Sequence, residues 1–208
     1  MLKFNALIIF LILFPFKVWS ICVSPQINKS FLKPYESKTN KWIVHDTHFY
    51  KNKDLGLSQK FESNYITVDF YIYDLGKKKI TKTDIDKELR SSMSEMIYFY
   101  KKYEPDAEYS QPLLISEKFF NKTKKLVNKA VFVLVKKNNE NEISLVSIGF
   151  DGKCFQKIRF TKKIMSPKNI KQFFKNPTHN KEILGSLYEF TGFVSILNNE
   201  LLRSGYYK

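Results

Sequence analysis

Residues 65–73 read Tyr65-Ile66-Thr67-Val68-Asp69-Phe70-Tyr71-Ile72-Tyr73, and the alternation in them sets the fold class. Ile66, Val68, Phe70 and Ile72 fall on one side of an extended chain; Tyr65, Thr67, Asp69, Tyr71 and Tyr73 fall on the other. A period of two in β-branched and aromatic residues marks a strand with one face against a core. Asp74-Leu75-Gly76 and the lysines Lys77, Lys78 and Lys79 end it. Upstream, the turns at 52–56 and at Ser63-Asn64 bracket a partner strand from Leu57 to Glu62, and Trp42-Ile43-Val44 reads as a shorter one.

Downstream the period changes. Ile85, Leu89, Met93, Met96, Ile97, Tyr100 and Tyr103 recur at three- and four-residue steps, so an amphipathic helix is expected over about 84–103. Thr81 or Thr83 can cap it, and Glu104-Pro105 stops it, because proline disfavours helical backbone in the residue before it. Four strands follow at Leu113–Phe120, Leu126–Lys137, Ile143–Phe150 and Cys154–Thr161, the last two joined by the tight-turn pair Asp151-Gly152. Ser166-Pro167 opens a short helix through Phe174, and a second apolar stripe from Glu182 to Arg203 predicts a long one. Short connections imply antiparallel neighbours. The expected fold is α+β: one domain over 42–208, mainly an antiparallel sheet with both main helices packed on one face.

The first 20 residues read differently. Lys3 precedes an unbroken apolar run from Ala6 to Phe16, closed by Lys17, and Val18-Trp19-Ser20 resembles a cleavage site. That is the layout of a secretory signal peptide over 1–20, too short for a membrane-spanning helix. Residues 21–41 then form an irregular lead-in. Cleavage lowers the formal charge from +15 to +13 and predicts a secreted or periplasmic protein with no remaining span. Cys22 and Cys154 are the only cysteines. An oxidising compartment permits a bridge between them, yet two lone thiols can also stay apart. Lipidation of Cys22 is the other reading, although Trp19, Ser20 and Ile21 match a lipobox poorly.

The stretch Gly56 to Gly76, ending in Tyr71-Ile72-Tyr73-Asp74-Leu75-Gly76 and followed by an amphipathic helix, resembles a group of uncharacterised secreted bacterial proteins. The later stretch Gly152 to Thr161, with its Lys157-Ile158-Arg159 core, is similar to their second shared strand. Asp69 and the basic N-terminal extension depart from the shared pattern. The resemblance implies an α+β fold of the Mog1/PsbP type and carries no catalytic residues.

Chemistry-bearing motifs are sparse. His45-Asp46-Thr47-His48 is the one cluster of metal-ligand types, with distant His179 as a further nitrogen. It lacks the helical i, i+4 spacing of a zinc protease, and on an extended segment His45 and His48 point to opposite faces. There is no G-x-S-x-G elbow, no S-x-x-K and no glycine-rich phosphate loop, and no pair among the 20 acids stands out for glycoside chemistry. No cofactor is expected. Charge is what remains, with 35 Lys+Arg against 20 Asp+Glu. Tyr71 and Tyr73 beside Lys77, Lys78 and Lys79 form a candidate binding platform. The sequence therefore suggests an exported, non-enzymatic module that recognises an anionic surface or an envelope protein, nucleic acid not being expected outside the cell. The alternative is a secreted hydrolase or metal-dependent enzyme using His45, Asp46 and His48.

Overall fold

In the computed structural model, residues 22, 42–115, 126–137, 140–164, 181–203 and 206 are described. The expected leader, the lead-in apart from Cys22, the strand portion beyond Ile115 and the short helix at 166–174 lie outside the described residues.

The alternating stretch is a strand, β4 (Ile66–Tyr73), and it forms a hairpin with β3 (Leu57–Glu62). The chain approaches them through β1 (Ile43–Val44) and β2 (His48–Phe49), both paired with β3. Between β2 and β3, Gly56 takes φ 59°, and a Cβ built there would lie 1.9 Å from the Ile72 carbonyl oxygen. Only a residue without a side chain fits that crossing.

Helix α1 (Lys82–Tyr103) starts where Thr81 and Asp84 form a reciprocal capping box, which satisfies amide donors the first turn cannot use internally. After β5 (Glu108–Tyr109) and β6 (Leu113–Ile115) come the long strands β7 (Lys129–Lys136), β8 (Asn141–Phe150) and β9 (Phe155–Ile164), then helix α2 (Lys181–Arg203). All pairings are antiparallel, and the order is β1-β3-β4-β9-β8-β7-β5, with β2 also on β3 and β6 on β7. The N-terminal hairpin is thus joined to the C-terminal meander where β4 meets β9, with Ile66 opposite Lys162 and Tyr73 opposite Phe155.

The α+β class and the antiparallel sheet agree with the sequence; the placement of the helices does not. α2 covers the face that carries Val68, Phe70, Ile158, Phe160, Phe132 and Leu145, with Phe190 edge-on to Phe160 at 5.6 Å and Phe193 edge-on to Phe61 at 5.4 Å. α1 covers the opposite face, where Ile85 and Leu89 meet Val131, Val146, Ile148 and Phe155, and Met96 and Tyr100 meet Val133 and Val135. The sheet lies between the two helices. The reason is in β7 and β8, where Ala130 to Val135 and Ile143 to Ile148 are buried without interruption. A strand apolar on both sides needs cover on both sides.

Cys22 and Cys154 are joined by a disulfide (S–S 2.08 Å), buried on the α2 side of the sheet. No described helix is long and apolar enough to cross a membrane.

Candidate functional site

On the α1 face, alternation sends Thr67, Asp69 and Tyr71 of β4 to the same side as Lys157, Arg159 and Thr161 of β9, each paired directly across the ladder. The first turns of α1 sit over the Tyr73–Phe155 corner, and its last turns over Val133 and Val135. The helix therefore leaves the Thr67–Asp69–Arg159–Thr161 corner open. A cleft of about 640 Å³ results, with those residues and Ser144 as its floor. Phe99, Tyr100 and Glu104 of α1 make one wall, and the β3–β4 turn with Tyr65 and Ile43 makes the other. Tyr65 and Phe99 are 56% and 49% exposed, so two aromatic rings rim the mouth.

The charges in the cleft are arranged as compensated groups. Asp69 faces Arg159 across the strands and Lys60 on its other flank. Burial pushes the Asp69 carboxyl above its usual range, and the attraction of Arg159 and Lys60 offsets only part of that. At the helix wall Lys137 reaches Glu142 at 3.0 Å and Glu104 at 3.1 Å, and Tyr100 donates its hydroxyl to Glu142 at 3.2 Å. Burial works to lower the Lys137 pKa, but the hydrogen bonds to Glu142 and Glu104 outweigh it, and the net shift is upward. The Tyr100 hydroxyl is pushed up to about 12, chiefly by burial. At the open edge Glu62 accepts from Lys60 and lies 2.8 Å from His45, and those hydrogen bonds, Lys60 first, hold it below the usual carboxylate range.

The residues singled out in the sequence fall elsewhere. Tyr73 is covered by α1: it is 5% exposed, its ring lies 5.4 Å from Phe155, and its hydroxyl donates to Glu88 at 2.5 Å. Burial drives its pKa far upward. Tyr71 is half-buried, its hydroxyl likewise raised to about 12 by burial, and its neighbouring cation is Lys157, 5.3 Å above the ring. Lys157 also lies 5.6 Å from the Tyr73 ring and pairs with Glu95 at 3.4 Å. The open aromatic platform beside Lys77, Lys78 and Lys79 is therefore not formed. Those lysines are exposed in the β4–α1 connection, where Lys77 pairs with Asp84 at 3.0 Å.

His45, Asp46 and His48 are exposed. His45 engages Glu62, and His48 meets the Tyr50 ring edge-on at 4.7 Å. Among the described residues no three His, Cys, Asp or Glu side chains form a metal-binding group, and His179 lies outside them.

The cleft residues were only partly legible. Asp69 stands out as an acid inside a β-favouring strand, and the alternation of β9 puts Arg159 on the same side as Phe155 and Thr161. Nothing local links them to Glu142, Lys137 or Phe99, which arrive from three other segments. No protein-family model, curated protein or solved structure matches the chain.

Proposed function

We propose that this chain is an exported, non-enzymatic binding module of the Mog1/PsbP type that takes a hydroxyl-rich ligand, such as an envelope glycan, in the cleft between α1 and the β3–β4 edge. The observation that carries this reading is the floor: Asp69 opposite Arg159, flanked by the hydroxyls of Thr67, Thr161 and Ser144. A carboxylate that only accepts and a guanidinium that only donates are both served by a hydroxyl, which does either. An anionic ligand would meet Glu62, Asp69, Glu104 and Glu142 along with the cations, so the chain's surplus of positive charge gives it no purchase here. The rings of Tyr65 and Phe99 at the mouth suit the apolar faces of sugar rings, adding apolar contact around a polar centre. The buried disulfide supports an oxidising address for the mature chain.

Calorimetric titration of the protein with neutral oligosaccharides released from envelope preparations tests this. Binding is expected to weaken more than tenfold in Arg159→Ala and in Asp69→Asn, because each change leaves polar groups of the ligand unpaired. Binding that both variants retain at wild-type affinity excludes the cleft.

A second reading, a hydrolase, has one observation in its favour. The Asp69 carboxyl is held up by burial beside a cleft, as a general acid requires. Turnover of a bound oligosaccharide that Asp69→Asn abolishes while binding persists would decide for it.

A further inference from the structure

We propose that the outward side of α1 seats the protein on an anionic lipid surface, independently of whatever the cleft holds. The helix carries acids and bases in similar number, but the fold separates them. Asp84 is taken up by Thr81 and Lys77, Asp86 by Lys129, Glu88 by the Tyr73 hydroxyl, and Glu95 by Lys157. Lys87, Arg90 and Lys101 point the other way, exposed in line with Ser94 and Tyr98. Lys102 flanks the stripe at its C-terminal end. Among the described residues none of these four cations makes an ion pair with a carboxylate. The sheet beneath engages three of the helix's four acids and the cap with Lys77 the fourth, which leaves the outward side basic.

The far end of the stripe is aromatic as well as basic. Tyr98, on the same line, is 64% exposed. Lys102 stands 4.9 Å from the Tyr103 ring and 6.0 Å from the Tyr98 ring. Basic residues drawn to anionic head groups, with amphipathic rings settling at head-group level, make an interfacial rather than a spanning helix. A soluble polyanion would use the lysines and have no need of an exposed ring among them, which favours a bilayer as the occupant. α1 is about 33 Å long, at about 1.5 Å rise per residue, and lies flat against its own sheet, so its whole outward side can meet a plane.

The test is cosedimentation of the full chain with vesicles of phosphatidylcholine alone and of phosphatidylcholine with phosphatidylglycerol, at low and high salt. Partitioning is expected to require phosphatidylglycerol and to fall steeply with salt. It should weaken about fivefold for each charge removed in Lys87→Gln and Arg90→Gln. Tyr98→Ser should weaken it further while leaving the salt dependence. Arg159→Ala, in the cleft, should bind vesicles as wild type, so failure of the ligand reading and of this one are separate results. Equal binding to both vesicle types overturns the proposal. So does binding to dextran sulfate without binding to vesicles, or partitioning that Lys87→Gln and Arg90→Gln leave unchanged.

Discussion

Reducing the Cys22–Cys154 bridge is the perturbation whose size can be worked most directly. The bond joins residues 132 apart in sequence. In the chain-entropy description, a loop that long loses enough freedom in the unfolded ensemble to stabilise the folded state by about 5 kcal/mol at 25 °C. That value is a ceiling, since compact denatured chains have less freedom to lose. Both sulfurs sit in the apolar cluster under α2, so Cys22→Ala with Cys154→Ala keeps the site apolar and adds only a small cavity term. For a chain of this size, with a urea m-value of about 3 kcal/mol/M, the full effect moves the midpoint down by about 1.7 M. Equilibrium unfolding in urea, followed by circular dichroism for the oxidised, reduced and double-alanine proteins, reads it. The reduced and double-alanine curves should coincide within a few tenths of a molar. A reduced protein whose midpoint stays within about 0.2 M of the oxidised one would refute the reasoning. It would mean that the unfolded chain was already constrained.

Three further outcomes are expected. Asp69 has a folded-state pKa raised by burial, so between its ordinary value of 3.8 and that raised value the folded state holds the proton more tightly than the unfolded one. Stability then falls as pH rises through that window, and Asp69→Asn should be more stable than wild type at pH 7, the gain vanishing below pH 3.8; urea titrations at the two pH values check the sign. Gly56→Ala should destabilise by at least about 1–3 kcal/mol, from the left-handed backbone and the clash with the Ile72 carbonyl, and an unchanged thermal midpoint would contradict the crossing described. Leu89→Ala and Leu197→Ala, on opposite faces of the sheet, should each cost about 2–5 kcal/mol and add nearly independently in the double variant, which a thermodynamic cycle measures.

Much of the fold could be read from local periodicity. β3 spans the residues expected, β4 differs by one residue at its start, and α1 begins two residues early because the Thr81–Asp84 capping box holds Lys82 and Thr83 in the helix. What periodicity does not show is the side of the sheet on which a helix lands. The unbroken run Ala130–Val135 carries that information, since a strand with only one buried face does not keep valine on both, and a strand buried on both sides needs a helix on each. Tyr71 and Tyr73 leave the open platform for the same reason, because the alternation that puts them opposite Phe70 and Ile72 also puts them under α1. The cleft lay further from view. Its floor pairs Asp69 with a residue 90 positions later, and only the register of β4 on β9 brings the two together.

That register also governs the order in which the chain can mature. Until residues 155–164 have been synthesised, one edge of β4 has no neighbour, and the N-terminal hairpin waits as an adhesive ribbon. Contacts so distant in sequence form slowly. For a chain exported as proposed above, threaded through a translocon before it folds, such a delay is useful, since premature closure would jam the passage. The same seam that completes the sheet would then act as a timer, keeping the chain unlatched until its last third arrives.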